Sequence, residues 1–304
     1  MTAAVVFAAD AAYFPLVKGL ILSLIQAAPA SKPDLVFLDI GATEPQRAWI
    51  AAQGVRVIDG DAIDRAIDLR PAYQTAPYMR AQLVRPFLPT LLPDYDSLIW
   101  LDADLWVQDP AAIDLLVGLS ANHPAAIAIA PLIDSAYWTF YKPSEEMRTP
   151  VELWYRGLFG QAEADAHAGK CVFSSGVFAA GAKAPVWALW RAALARAVSN
   201  PLSQPVLRHL AEQTALNLAL HEGGGYIPLG SWFNYNLHLG SAVLRPTDNR
   251  VVRGVPPFEA VGVIHLSDFR LRAAQYRDQR LLYKGGDYLD DADREALGRL
   301  SPHL

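Results

Sequence analysis

Short apolar segments that alternate with helix-like segments constrain the fold of this chain more than any other feature of its sequence. A strand without a polar face must be covered on both sides, as in a parallel sheet flanked by helices. The alternation therefore predicts an α/β protein with a Rossmann-like, mostly parallel central sheet. The predicted strands are AAVVFAA from Ala3, LVFLDI from Leu35, VRVID from Val55, SLIWLDAD from Ser97 and AAIAIA from Ala125. The predicted helices are Phe14–Ala27, 44–53, 78–92 and one that is capped by Asp109 and begins at Pro110.

The composition excludes several classes of protein. Of the 304 residues, 52% are hydrophobic and 19% are charged, which is far from the composition of a disordered chain. The net charge of −5, without any basic block, argues against a nucleic acid or an anionic membrane as the main partner. The one cysteine, Cys171, excludes an internal disulfide framework and a zinc site with several thiolates.

No segment of the sequence resembles a targeting signal or a transmembrane helix. The most apolar stretch ends at Pro29 and is shorter than the roughly 20 residues that cross a bilayer. We therefore expect a cytoplasmic protein without a transmembrane segment, while peripheral contact with a membrane stays open.

A long segment with weak periodicity and many aromatic residues follows Pro131. A segment of this kind, here residues 132–170, is more often a binding insertion than a passive linker. Since neither a repeat nor a linker divides the sequence, we expect a single domain over residues 1–304. It would consist of a first half (1–131), the insertion (132–170) and the remainder (171–304).

Acidic residues and a histidine end three of the predicted strands. Asp102 and Asp104 follow SLIWL, and residues i and i+2 of a strand point to the same face, so both carboxylates can converge on one cation. Asp10 ends the first strand and His265 closes VGVI, and ligands of open α/β sheets lie beyond such strand ends. The pattern predicts a site for a divalent ion that carries nucleotide phosphates. The structural alternative is a solvated turn in which Asp104 or Asp109 caps a helix.

Five motifs in this sequence resemble those of the family-eight glycosyltransferases, which include bacterial lipopolysaccharide galactosyl- and glucosyltransferases, glycogenin and galactinol synthase. In the order of that family, they are VVFAADAAY, YMRAQLVRPFLPTLLPDYDSLIWLDADLWVQDP, FSSGVFAAG, EQTALN and VIHL. The resemblance implies a GT-A fold, a nucleotide-sugar donor that is usually a UDP-hexose, a Mn²⁺ ion and retention of the anomeric configuration. A histidine ligand beside carboxylates suits Mn²⁺ better than Mg²⁺, which stays possible.

The resemblance also implies roles for individual residues. The uridine would be bound by three residues near the end of the first strand, with a hydrogen bond from the base to a carboxylate and stacking on a phenol ring: Ala8, Asp10 and Tyr13. The metal ligands would be Asp102, Asp104 and His265, with Ala103 among the donor-binding residues. Arg80 would reach the donor sugar and hold the metal-binding loop.

Two further motifs would surround the donor sugar. FSSG would cradle it with Ser174, Ser175 and Gly176. In EQTALN, Glu212 would bind the donor hydroxyls and Gln213 would lie at the reacting face.

Several positions depart from the pattern of that family. Asparagines are replaced by Ala12 and Ser174, an acidic residue by Thr214, and the glycine and lysine after the histidine by Asp268 and Leu271. A diphosphate leaving group carries up to three negative charges, and one divalent ion neutralises only two of them. We therefore predict that Arg270 or Arg272, on either side of Leu271, binds the diphosphate in place of the lysine.

The sequence thus predicts a Mn²⁺-dependent retaining transferase that moves a hexose from UDP-glucose or UDP-galactose to a hydroxyl of a glycan, a lipid-linked or a small-molecule acceptor. The rings of the insertion would build the acceptor site: Tyr137, Trp138, Tyr141, Trp154 and Tyr155. Two alternatives stay open at this point. One is a phosphohydrolase with an Asp-x-Asp nucleophile and acid pair, and the other is a sugar-nucleotide-binding module with little or no catalysis.

Overall fold

The computed structural model of the protein describes residues 1–67, 77–132, 148–200, 205–237, 239, 242–248, 250–266 and 291. Its strands are β1 (Ala3–Ala9), β2 (Asp34–Asp39), β3 (Arg56–Ile58), β4 (Ser97–Leu101), β5 (Leu105–Val107), β6 (Ala126–Pro131), β7 (Phe173–Gly181), β8 (Gly225–Pro228), β9 (Tyr235–Asn236), β10 (Ala242–Arg245), β11 (Arg250–Arg253) and β12 (Val263–His265). Its α-helices are α1 (Phe14–Ala27), α2 (Glu44–Ala52), α3 (Gly60–Ala66), α4 (Pro77–Leu83), α5 (Leu88–Leu91), α6 (Pro110–Asn122), α7 (Arg148–Phe159), α8 (Gln161–His167), α9 (Val186–Ser199) and α10 (Ala211–His221).

Seven strands form the central sheet, in the order β3-β2-β1-β4-β7-β6-β8. All neighbouring pairs are parallel except the two that include β7, which runs antiparallel to both β4 and β6. The mostly parallel sheet predicted from the apolar runs is therefore confirmed. Because β7 is reversed, its first residues lie at the edge of the sheet where β1 and β4 end.

Both faces of the sheet are buried, which explains why its strands are continuously apolar. Alternate residues of β1 enter two different cores: Val6 packs with residues of α7, α9 and α10, whereas Phe7 packs with residues of α1 and α6. The strands β4 and β7 are buried along their whole length. The layers are thus helix, sheet and helix.

A small second sheet brings the strand β12 close to the end of β4. Its strands have the order β5-β12-β9, and β12 runs antiparallel to β5, with His265 opposite Leu105. The backbone N–H of Leu266 donates to the carbonyl of Asp104 at 2.9 Å. Since β5 follows β4 after only three residues, this pairing holds β12 beside the predicted metal-binding pair.

The structure divides the single helix that we predicted over residues 78–92. α4 ends at Leu83, a 3₁₀ turn follows over Arg85–Phe87, and α5 begins at Leu88. The break occurs at Pro86, which lacks a backbone N–H and clashes with the preceding helical turn. In contrast, Asp109 caps α6 as predicted, since its side chain accepts a hydrogen bond from the N–H of Ala111.

Part of the aromatic insertion is helical. It contains α7 and α8, and Tyr155 of α7 is buried while Trp154 packs against the same core. These two rings therefore anchor the segment to the domain. Tyr137, Trp138 and Tyr141 lie outside the described residues. None of the helices described here has the length and apolar character needed to cross a membrane.

The packing around two glycines predicts opposite effects of the same substitution. A Cβ at Gly181, the last residue of β7, would meet the backbone of Pro124 at 2.7 Å, so Gly181→Ala should cost about 1–3 kcal/mol of unfolding free energy through overpacking. Gly118, in α6, has open space around a Cβ, so Gly118→Ala should stabilise the protein by about 0.5–1 kcal/mol. Urea denaturation of both variants checks this. Equal effects of the two substitutions would contradict the close approach at Gly181.

Candidate active site

An open cleft of about 680 Å³ lies where β1 and β4 end. Its wall includes residues from both strands and from the segment between α4 and α5. They are Ala8, Asp10, Tyr13, Ile40, Arg85, Trp100, Asp102, Ala103 and Asp104. The structure thus brings the predicted uridine-binding residues and the two predicted metal-binding carboxylates to one cleft, at the edge of the sheet where an open α/β fold binds ligands.

The predicted metal ligands are close together. Asp102, Asp104 and His265 each offer a ligand atom, and these atoms lie within 4.8 Å of one another. Nε2 of His265 lies 3.2 Å from Oδ1 of Asp104. Two carboxylates and an imidazole at this spacing have the donor set of a divalent transition metal.

Mutual charge sets the protonation of this cluster. Burial raises the pKa of the Asp102 carboxyl, an effect that the nearby Arg85 only partly opposes. Burial also acts to raise the pKa of Asp104, but the charge and the hydrogen bond of His265 outweigh it, so that this pKa is lowered. For His265, the neighbouring carboxylates outweigh burial and raise its pKa. A cation bound here would meet carboxylates that already act as acceptors.

A glycine makes room for the cluster. The backbone N–H of Asp102 donates to the carbonyl of Gly176 at 2.9 Å, which brings β7 next to the metal-binding pair. A Cβ at Gly176 would lie 2.8 Å from Cε1 of His265 and 2.9 Å from Oδ2 of Asp102. A side chain at this position would therefore fill the space between the two ligands.

A buried arginine connects the metal-binding pair to β7 and α10. Nη2 of Arg85 donates to Oδ1 of Asp102. Nη1 donates to Oγ of Ser175 at 2.7 Å and to Oε2 of Glu212 at 2.5 Å. The indole N–H of Trp100 also donates to Oδ1 of Asp102, at 2.7 Å. Oδ1 is thus held by two donors, while Oδ2 is the oxygen that faces Gly176.

The role predicted for Arg80 stays a prediction. In the structure, its guanidinium pairs with Asp64 at 2.9 Å and donates to the carbonyl of Gly60 at 3.0 Å, while Arg85 is the arginine that bonds to Asp102. Arg80 precedes the break at Pro86, whereas Arg85 lies directly at the break and turns into the core. A signal for Arg85 was present in the sequence: a single charge inside the apolar run LVRPFLPTLL is expected to be buried and paired.

The predicted sugar-binding residues Ser175 and Glu212 lie around Nη1 of Arg85. Burial raises the pKa of Glu212 to about 7, although Arg85 and Ser175 favour its ionised form. Among the described residues, Oε1 of Glu212 is buried and has no hydrogen-bond donor. The side-chain carbonyl of Gln213 accepts from the N–H of Ser175 at 3.2 Å. The structure thus brings Glu212, Gln213 and Ser175 together.

Two of the predicted uridine-binding residues, Asp10 and Tyr13, lie in one tight turn. Oδ1 of Asp10 accepts from the backbone N–H groups of Ala12 and Tyr13, both at 3.0 Å, and this turn begins α1. Ala8 is buried, while Asp10 and Tyr13 are half-buried beside the cleft. Arg270 and Arg272, the predicted diphosphate ligands, lie outside the described residues.

Sequence reasoning also missed Asn234. Its side-chain oxygen lies 2.7 Å from Nδ1 of His265, and its side-chain N–H donates to Oγ of Ser174 at 3.1 Å. The residue follows a short 3₁₀ turn over Ser231–Phe233, in a stretch without regular periodicity. No pattern in the sequence connects it to His265.

Solved structures of glycosyltransferases share this architecture. The galactosyltransferase LgtC in complex with donor and acceptor sugar analogs has a TM-score of 0.54 and 18% identity over 96% of this chain and 99% of LgtC. The apo form of mouse xyloside xylosyltransferase 1 has a TM-score of 0.52 and 15% identity over 88% of this chain and 97% of that protein. The apo bifunctional glycosyltransferase WbbM has a TM-score of 0.57 and 14% identity over 98% of this chain, which spans about half (51%) of WbbM. The fold is that of a GT-A glycosyltransferase.

The family follows from the sequence match. Residues 4–181 match the model of glycosyl transferase family 8, and this segment is more than half of the chain. The protein belongs to glycosyltransferase family 8, and it is a glycosyltransferase. Comparison with curated proteins finds no match to this sequence. The resemblance inferred from the motifs is therefore confirmed at the level of family and fold.

Replacement of Arg85 and replacement of Arg80 should lower the free energy of unfolding by different amounts. Arg85→Met leaves the part-buried Asp102 and the buried Glu212 without their cation and should cost about 3–5 kcal/mol of unfolding free energy. Arg80→Met removes an ion pair with the half-exposed Asp64 and should cost about 0.2–1 kcal/mol. Urea denaturation of the metal-free proteins measures both values.

A double variant tests whether the loss of unfolding free energy in Arg85→Met comes from uncompensated buried charge. Glu212→Gln in the Arg85→Met background removes one uncompensated carboxylate and should recover part of the lost stability. A cost for Arg85→Met no larger than that for Arg80→Met would contradict the role assigned to Arg85.

Proposed function

We propose that this glycosyltransferase moves a hexose from a UDP-sugar to a hydroxyl group, with retention of the anomeric configuration and with Mn²⁺ bound by Asp102, Asp104 and His265. The observation that carries the proposal is the carboxylate–carboxylate–histidine cluster, whose two carboxylates line one cleft with Asp10 and Tyr13 and whose Asp102 is joined to Glu212 through Arg85. Mg²⁺ is the alternative ion.

The residues of the cluster fit a divalent ion. Their donor atoms lie within 4.8 Å of one another, and Gly176 leaves the space between Asp102 Oδ2 and the His265 ring open. The other oxygen of Asp102 is already bonded to Arg85 and Trp100, which orients the carboxylate. A Mn²⁺ ion bound there would supply positive charge to the diphosphate of the donor.

The residues at the end of β1 suit the nucleoside. A uracil N3–H is a donor, which matches the carboxylate of Asp10, and the half-buried ring of Tyr13 offers a surface for stacking. Both line the cleft that also contains Asp102. The uridine and the diphosphate would thus lie along one wall, with the sugar directed toward β7.

Glu212 suits the hydroxyl groups of the donor sugar. Its Oε2 is held by Arg85 and Ser175, whereas its Oε1 is buried without a donor among the described residues. A buried oxygen of this kind costs free energy until a donor reaches it. A sugar hydroxyl would supply that donor, so Glu212 would position the sugar.

The chemistry of Gln213 favours attack by the acceptor on the same face of the anomeric carbon from which UDP departs. Its side chain is neutral, and its carbonyl oxygen accepts from the N–H of Ser175, so it is a weak nucleophile. We infer that the acceptor oxygen bonds to the anomeric carbon as the bond to the UDP oxygen breaks. The acceptor proton passes to the leaving phosphate oxygen. A single front-face displacement through an oxocarbenium-like state retains the configuration.

Fewer residues of the site bear on the acceptor than on the donor. The hydroxyl would belong to a glycan, a lipid-linked or a small-molecule acceptor. Since Trp154 and Tyr155 pack on the core, recognition by the insertion would depend on its remaining aromatic residues. A cytoplasmic location and peripheral contact with a membrane also stay predictions. The phosphohydrolase alternative loses its basis, because the chain belongs to a glycosyltransferase family.

Hydrolysis of the donor tests the proposal without the acceptor. With UDP-glucose or UDP-galactose and Mn²⁺, the protein should slowly release UDP and free hexose, and NMR should show the α-anomer as the first product. Asp104→Asn removes a charged metal ligand and should slow UDP release about 100-fold or more. Asp64→Asn, which removes a carboxylate of the Arg80 ion pair outside the metal cluster, is the matched control and should retain the wild-type rate.

Three results would contradict the proposal. Release of phosphate without UDP would indicate a hydrolase, and binding of UDP-sugar without turnover would indicate a binding module. A β-anomer as the first product would exclude retention.

A further inference from the structure

Asn234 lies between the predicted metal ligand His265 and the strand that faces the donor sugar. We propose that Asn234 is a positioning residue, which holds the imidazole of His265 so that Nε2 faces the metal site. This inference rests on the proposed function, because it presupposes a metal ion at Asp102, Asp104 and His265. Nothing in the motifs of the sequence assigns a role to Asn234.

The chemistry of the amide determines which nitrogen of His265 carries a proton. The side-chain oxygen of an asparagine is an acceptor only, and it lies 2.7 Å from Nδ1 of His265. With the amide oriented in this way, Nδ1 is the nitrogen that carries the proton. Nε2, which lies 3.2 Å from Asp104 Oδ1, is then the nitrogen whose lone pair can bind a metal.

A second hydrogen bond of the side chain accompanies this orientation of the amide. The side-chain N–H of Asn234 donates to Oγ of Ser174 at 3.1 Å, which leaves the oxygen directed at His265. An amide rotated by 180° would place its N–H₂ group against Nδ1 and its oxygen against Ser174. The backbone is held as well, since Asn234 donates its N–H to the carbonyl of Ser231 at 3.0 Å.

The ring of His265 needs such support because its own strand is short. β12 has three residues and belongs to the small sheet, not to the central one. Gly176 leaves space open beside the ring, because only an added Cβ would come within 2.8 Å of Cε1. Asn234, fully buried, faces Nδ1, and Asp104 faces Nε2. The amide is therefore the contact that holds the Nδ1 side of the imidazole.

The same amide links the metal site to the sugar site. Ser174 precedes Ser175, whose hydroxyl bonds to Glu212. A displacement of the histidine would therefore be transmitted through Asn234 to the strand that cradles the sugar. Asn234 acts on the metal through His265 and does not itself contact the reacting atoms.

Titration with Mn²⁺ tests the role of Asn234 directly. The EPR signal of free Mn²⁺ decreases as the ion binds, so dissociation constants follow without any measurement of turnover. Asn234→Leu keeps the size of the side chain but removes the acceptor, and it should weaken Mn²⁺ binding about 10- to 100-fold. Asn234→Asp keeps an acceptor at Nδ1 and should bind Mn²⁺ as tightly as the wild type or more tightly.

Asn217→Leu is the matched control. Asn217 is also buried, and within the described part of the chain its side chain bonds only to the backbone of Phe173 and Gln213. The substitution should lower the melting temperature and leave the affinity for Mn²⁺ unchanged. A loss of affinity in Asn234→Leu but not in Asn217→Leu or Asn234→Asp supports positioning, because general destabilisation would not be rescued by the carboxylate.

A spectroscopic measurement on the wild type covers the case in which Asn234→Leu does not fold. In ¹⁵N-labelled metal-free protein, at a pH above the pKa of His265, where the ring is neutral, His265 is identified by comparison with His265→Asn, and its proton should be attached to Nδ1. A neutral ring protonated at Nε2 alone would overturn the proposal.

The outcomes separate this inference from the function on which it rests. If the wild type binds Mn²⁺ and Asn234→Leu binds it equally well, or if Leu and Asp weaken binding equally, the role of Asn234 is overturned and the metal site stands. If neither the wild type nor any variant binds Mn²⁺, the metal assignment is overturned and this inference with it.

Discussion

The guanidinium of Arg85 is the interaction on which the site depends. Two carboxylates, the part-buried Asp102 after β4 and the buried Glu212 of α10, would be costly to enclose without a shared cation. Arg85 binds one with each of its terminal nitrogens and stacks over Trp100 at 5.1 Å. The predicted metal ligand Asp102 and the predicted sugar-binding residue Glu212 are therefore joined through one side chain.

The reversed strand β7 is the second constraint. If it ran parallel to β4, its first residues would lie at the opposite edge of the sheet, away from the ends of β1 and β4. Because it is antiparallel, Ser174, Ser175 and Gly176 lie beside Asp102 and His265. One short segment thus provides a hydroxyl for Asn234, a hydroxyl for Glu212 and the gap in which the metal ligands meet. These three contacts account for the two serines and the glycine in FSSG.

Much of the site was predictable because its residues follow apolar strands. The positions of Asp102 and Asp104 follow from strand geometry, and that of His265 from the end of another apolar run. Arg80 and Arg85 could not be distinguished in this way, since both lie in the same helix-like segment. The choice between them depends on where the chain bends at Pro86 and on which guanidinium then meets the buried carboxylates.

The sequence by itself determined the layered α/β architecture, the family and the strand ends that form the cleft, because burial on both faces demands continuous apolar runs and because local motifs carry the polar groups. Only the tertiary structure decided that Arg85 and not Arg80 joins Asp102 to Glu212, that Tyr155 packs into the core, and that Asn234 reaches His265. These contacts join residues 17 to 127 positions apart, such as Arg85 with Asp102 and with Glu212. Their partners are chosen by the pairing of strands and the compensation of buried charge, which no local pattern encodes.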